Sequence, residues 1–209
     1  MLSDGANLEF PRNRFPVSRR SIFHGHVLRK WPVNKVVVVW RDPRDVMVSW
    51  YHHCIIGNSH ANPKFVERCR RSFGVLDYKD VSKNMERFIS WSFEKGGGVG
   101  FGWCDFYDFW AEQDCVFVKY EDLRARPVET LGELLQSISG TKLSDNELLE
   151  VIENHSFQKV SGRKSGSEDK KAFLRKGVVG DWKNYFSETA ALRLYFYAEK
   201  RMKKLGYEV

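Results

Sequence analysis

At 209 residues, 42% of them hydrophobic and 14% aromatic, the chain carries enough apolar side chain to bury a substantial core, which excludes bulk disorder and favours one folded domain. Its formal net charge of +7 calls for an anionic partner, be it nucleic acid, an acidic membrane surface or a small phosphorylated or sulfated ligand. Cys54, Cys69, Cys104 and Cys115 stand far apart with no Cys-x-x-Cys pair, so neither a zinc site nor a disulfide framework is expected and a reducing, cytoplasmic setting fits. No apolar run is long enough to span a bilayer, and the first residues lack the apolar centre of a secretory signal.

In chain order, residues 1–20 show Gly5, Pro11, Pro16 and scattered arginines without periodicity, and predict an irregular lead-in to a domain over 21–209. The β-branched run Lys35 to Trp40 predicts a strand covered on both faces, of the kind found in parallel sheets. Pro43 then suits the first turn of a helix. Met85, Phe88, Ile89 and Trp91 give one apolar side to a helix over 84–94, which "EKGGGVGFG" ends in a hinge or loop. A helix over 103–110 precedes "CVFVKYEDL", where Val116 and Val118 alternate as in a second strand. Pro127 opens a helix with Val128, Leu131, Leu134, Leu135 and Ile138 at helical spacing, and Gly140 closes it. Ser144 and Glu147 form a capping box for a helix whose Leu148, Leu149 and Ile152 are expected to face inward. "VSGRKSGSEDKKA" predicts a polar loop, and a last helix runs from Ser187 to about Lys204, stopped by Gly206. Strands separated by helices give an α/β class, a small parallel sheet flanked by helices, with ligands beyond the carboxyl ends of the strands, where Arg41 and Tyr120 stand.

Two stretches point to anion chemistry. Arg41, Asp42, Arg44 and Asp45 in "RDPRD" read in isolation as a solvated turn of paired charges, but Ser49 two helical turns past Arg41 allows a guanidinium, a hydroxyl and helix amides to converge on a phosphate. In "FLRKGVVGDWKNYF", Arg175 and Lys176 offer two cations, Gly177 a backbone amide that an anion can approach closely, and Asp181 and Trp182 a means of fixing the loop after Gly180.

This second stretch resembles the Arg-Lys-Gly-x-x-Gly-Asp-Trp-Lys-Asn signature of the cytosolic sulfotransferases that use 3′-phosphoadenosine-5′-phosphosulfate (PAPS). "VVVVWRDPRDVMVSWYHH" is similar to the same family's 3′-phosphate segment, and "VKYEDLRARPVETL" to its Tyr-Glu-Asp-Leu segment followed by Pro; the three stand in family order. The resemblance implies the family's P-loop-NTPase-like fold and sulfuryl transfer from PAPS, without a metal, to a hydroxyl or amine of a small-molecule acceptor rather than action on nucleic acid or membrane. It implies that Arg41 and Ser49 hold the 3′-phosphate with Arg175, Lys176 and the Gly177 amide. Tyr120 would approach the adenine, with Phe157 of "NHSF" stacking on it and His155 as a polar contact. "SIFHGHVLRKWP" supplies His26 as the implied base, with His24 as the alternative, because the family's Lys-x-His reads His-Gly-His here. His52 and His53 read as structural.

The family's Pro-Lys-Ser-Gly-Thr-Thr-Trp-like 5′-phosphosulfate loop has no match in residues 1–25, so the resemblance implies an N-terminally truncated form of the fold. The expectation is the C-terminal part of a longer sulfotransferase or a shortened product, with weakened transfer. A non-catalytic nucleotide-binding protein is the alternative. The family's dimer segment is also altered, with Ser187, Glu188 and Leu192 at its later places, leaving oligomeric state open.

Overall fold

The structure is a computed structural model and describes residue 28 and residues 35–209. The chain divides into two compact units, one ending its first segment at Trp40 and resuming over Trp110–Lys164, the other formed by Arg41–Phe109 and Ser165–Val209.

The first unit holds a parallel pair of strands, β1 (Val37–Trp40) and β2 (Val116–Lys119), in register Val37 to Val116 through Trp40 to Lys119. Val38 and Trp40 are buried, but Val39 is 51% and Phe117 44% exposed. By the register, Phe117 shares a face with buried Val38 and Val39 shares the other with buried Val118, so among the described residues each face is covered only in part, and the expected full cover on both faces is corrected to that. A β-branched run reports a fit to the pleated backbone, and that fit does not depend on what lies over each face. Lys119 leads straight into a short helix, α5 (Tyr120–Ala125), and then into α6 (Pro127–Ser139), which packs on β2. Pro127 opens α6 and Gly140, in the left-handed conformation at φ 68°, closes it. Helix α7 (Asp145–Asn154) begins at the predicted capping box, with Ser144 and Glu147 satisfying each other's backbone groups. Its Leu148 joins Leu131 and Leu135 in this unit's core, whereas Leu149 is 51% exposed. That expectation is corrected by the helical turn itself, since a step of one residue rotates a side chain by about 100° away from the buried stripe. Helix α8 (Phe157–Ser161), capped by Ser156, follows.

The second unit is helical. Asp42 caps α1 (Pro43–Tyr51) by accepting from Arg44 N at 2.9 Å, and Met47, Val48 and Tyr51 turn inward. A π-helical turn, His52–Ile56, follows. Helix α2 (Pro63–Phe73) has an Asn62 cap, Pro63 in its first turn and Gly74 at its end, with Val66, Cys69 and Phe73 buried at helical spacing. Helix α3 (Val81–Glu94) begins three residues before the expected start, because the Asp80 carboxylate caps it. Gly96–Gly98 form a tight turn, and α4 spans Trp103–Ala111. The last helix, α9 (Glu188–Lys204), starts at the Ser187 cap and lays Ala190, Leu194, Ala198 and Met202 along α3. These residues join Tyr51, Ile55, Met85, Phe88 and Ile89 in one core, where each large apolar side chain contributes roughly 1.5–3 kcal/mol by leaving water.

Candidate functional site

The strand-to-helix junction fixes the first half of the site. Arg44 forms a forked pair with its own cap residue, Nε donating to Asp42 Oδ1 at 2.9 Å and Nη2 to Oδ2 at 2.7 Å, and its guanidinium lies 4.2 Å from the Trp182 ring centre. Arg44 is thereby a structural cation, while Arg41 points to the loop that follows the Arg-Lys-Gly stretch. Its Nη2 donates to Val178 O at 3.3 Å and stands 3.6 Å from Asp45 Oδ2. Asp45, 2% exposed, accepts from two backbone amides of that loop, Gly180 N at 2.8 Å and Trp182 N at 2.9 Å. Ser49 is exposed, further along the same helix.

The second half is residues 165–186. Gly177, at φ 69°, gives the chain a left-handed turn that a side chain would strain, and its carbonyl accepts from Ser165 Oγ at 2.8 Å. Asp181, 3% exposed, gathers the site's cations: Arg175 Nη2 donates to its Oδ2, while Lys176 Nζ at 2.5 Å and Asn184 Nδ2 at 2.8 Å donate to its Oδ1. Arg175 Nη1 reaches the Glu168 carboxylate and, at 3.1 Å, the Tyr185 hydroxyl. Burial works to raise the pKa of Asp181, but the hydrogen bonds from Lys176, Arg175 and Asn184 outweigh it and hold the carboxyl below its ordinary value. Glu168 is lowered for the same reasons, its donors being Arg175 and Tyr185. Burial works to lower the pKa of Arg175, and its carboxylate partners more than offset that. The Tyr185 hydroxyl is pushed up to about 12, chiefly by burial, so it acts as a neutral donor.

The structure thus brings Arg41, Arg175, Lys176 and Gly177 into one hydrogen-bonded assembly through Asp45, Asp181 and the backbone of 178–182. Tyr120, His155 and Phe157 belong to the other unit. Tyr120 is the first residue of α5 and half-buried, and His155 is exposed after α7; Phe157 is buried at the start of α8, the Arg163 guanidinium 5.3 Å from its ring centre. His24 and His26 lie outside the described residues. Sequence reasoning missed the part played by Asp45, Glu168 and Tyr185. For Asp45 a signal existed: with Val48 and His52 it falls at three- and four-residue spacing on one buried stripe, and a carboxylate there must find donors.

A cation-bearing turn tied by hydrogen bonds to the start of α1 in an α/β fold defines a class, and the comparisons with known proteins supply the family. The sulfotransferase domain model matches residues 23–206, and the chain belongs to that family. It is 29% identical over 170 residues to human sulfotransferase 2A1, a match covering 75% of this chain and 52% of the relative. Mouse sulfotransferase 1E1 is 29% identical over 192 residues, covering 83% and 57%. The chain therefore spans about half the length of these curated relatives. Among solved structures, mouse sulfotransferase SULT7A1 complexed with PAP aligns with a TM-score of 0.57 at 22% identity, over 81% of this chain and 59% of that one. Retinol dehydratase in complex with androsterone and inactive cofactor PAP aligns at 0.52 with 22% identity, over 94% and 56%. Both alignments carry the sulfotransferase fold. No helix among the described residues is long and apolar enough to cross a membrane.

Proposed function

We propose that the chain binds 3′-phosphoadenosine nucleotides and serves PAPS-dependent sulfuryl transfer to a hydroxyl or amine of a small-molecule acceptor, in a cytoplasmic setting. The observation that carries this reading is the assembly in which Asp45 and Asp181 hold Arg41, Arg175 and Lys176 around the turn at Gly177. Such a set of cations fits a phosphate group, which takes forked guanidinium and ammonium donors. The family match and the PAP named in the related structures support it.

In this reading Arg41, Ser49, Arg175, Lys176 and Gly177 hold the 3′-phosphate, and Tyr120, His155 and Phe157 serve the adenine. In-line transfer asks little covalent help of the protein and much positioning. A new S–O or S–N bond forms to the acceptor as the bond to the 5′-phosphate breaks. His26, or His24 in its place, takes the acceptor's proton, and PAP leaves.

Calorimetric titration of the purified chain with PAP, with ATP as comparison, tests the reading. Saturable binding that prefers PAP is expected. Arg41→Ala and Arg175→Ala should each weaken it by roughly tenfold or more, the worth of a charge-assisted hydrogen bond. Unchanged affinity in both variants overturns it. Turnover of labelled PAPS over a panel of phenols, alcohols and amines, lost in His26→Ala, tests the chemistry separately.

A further inference from the structure

Arg41 lies far along the sequence from Arg175 and Lys176, and two of the ligands that bring them together come from one side chain. Oδ2 of Asp45 accepts from Gly180 N at 2.8 Å and stands 3.6 Å from Arg41 Nη2; Oδ1 accepts from Trp182 N at 2.9 Å. The residue between those two amides is Asp181, whose own carboxylate holds Arg175 and Lys176. Arg41 closes the ring by donating to Val178 O at 3.3 Å. Each of these links from one half of the anion site to the other thus passes through Asp45 or through the short backbone segment it grips.

We infer that Asp45 is the positioning residue that makes the site specific for a nucleotide with a 3′-phosphate. The inference rests on the proposed nucleotide reading and deepens it. A buried carboxylate with two amide donors and a guanidinium partner costs desolvation that only a complete donor set offsets, so its geometry is narrowly defined. With one oxygen shared between Arg41 and Gly180 N, a shift of the loop along α1 cannot keep both contacts. Asp45 thereby sets the spacing between Arg41 and the Arg175–Gly177 turn, and a phosphate bound by both reads that spacing. A ligand lacking the 3′-phosphate does not engage it. Asp45 touches no ligand in this scheme and acts through Arg41 and the loop.

The experiment compares PAP with AMP, which has the same adenosine and 5′-phosphate without the 3′-phosphate, on wild type, Asp45→Asn, Arg41→Ala and the double variant. Asparagine keeps the shape but offers one acceptor and adds a donor where a second amide needs an acceptor. Asp45→Asn is expected to weaken PAP binding about tenfold or more while leaving AMP binding unchanged. The added loss should shrink in the Arg41→Ala background, since the two residues act on one phosphate. Asp45→Glu, which keeps the charge and displaces it by a methylene, should show the same selective loss and serves as the reading if Asp45→Asn does not fold. Equal losses for PAP and AMP, or additive losses in the double variant, reduce Asp45 to a fold-supporting residue and overturn the inference. A wild-type chain that does not prefer PAP to AMP overturns the nucleotide reading and the inference with it. A wild-type preference that survives both Asp45 variants overturns the inference alone.

Discussion

His52, in the π-helical turn after α1, is 2% exposed, and neither ring nitrogen has a hydrogen-bond partner among the described residues. Its ring meets that of Tyr185 edge-on at 5.9 Å. Burial first, and the Arg175 charge second, lower its pKa from 6.5 to about 4. Because the folded chain then refuses a proton that the unfolded chain accepts, His52 contributes stability that is fully present above about pH 6.5 and lost as pH falls towards about 4. His53, also lowered by burial, acts in the same direction. The carboxylates Asp181 and Glu168, held low by their cations, add their own loss only in more acidic solution. Thermal midpoints recorded from pH 7.5 to 4 should fall for wild type, and His52→Phe should flatten that fall; an unaltered slope refutes the assignment. At this scale the sequence marks the cations of the site well, because Arg175, Lys176 and Gly177 form a distinctive succession. It marks the partners that hold them poorly, because Glu168 and Tyr185 meet Arg175 only after the loop has folded back.

Helices announced by a proline or a cap at their start were legible as elements: α1, α6, α7 and α9 all begin where such residues predict, and α6 and α9 also end just before the predicted Gly140 and Gly206. Helix α2 carries the same marks in Asn62, Pro63 and Gly74, but its charged surface of Lys64, Glu67, Arg68 and Arg71 masks an apolar stripe only three residues deep. The Gly96–Gly98 turn is legible as a break and illegible as to its purpose. A Cβ at Gly98 would lie 2.6 Å from Cys69 Sγ, and one at Gly97 would lie 2.9 Å from Trp50 Nε1, which donates to Gly97 O at 2.9 Å. The turn is therefore a packing surface against Trp50 of α1 and Cys69 of α2. Gly98→Ala should cost about 1–3 kcal/mol for overpacking in addition to the strain of its positive φ. Gly100→Ala, at φ 90° with nothing within 4 Å, should cost only the backbone strain, about 1–2 kcal/mol. Urea unfolding of the two variants separates the contributions, and equal losses would contradict the packing role.

For the whole molecule, three segments in family order made the sulfotransferase fold legible in the amino-acid sequence alone. The division into two units was not, because its boundary falls between Trp40 and Arg41, inside the most continuous strand-to-helix stretch of the chain. Leu131, Leu135 and Leu148 form the first unit's own core, so Leu135→Ala should destabilise that unit by about 2–5 kcal/mol, read by hydrogen exchange in α6 and α7. Ligand binding gives a second test: PAP at about a hundred times its Kd adds about 2.7 kcal/mol to the folded state. The thermal midpoint should rise by several degrees in wild type and, at the same PAP concentration, by about half as much or less in Arg175→Ala.

The ion pairs of the candidate site have a consequence for how an anion finds it. Arg41, Arg44, Arg175 and Lys176 are matched by Asp42, Asp45, Asp181 and Glu168, four charges against four, so the chain's net +7 lies entirely outside the cluster. Beyond a Debye length of about 8 Å at physiological salt, such a cluster has no monopole field to steer an approaching dianion. In the proposed reading, encounter is left to the lysines and arginines outside the cluster, and the cluster sorts an arriving anion by the direction of its donors.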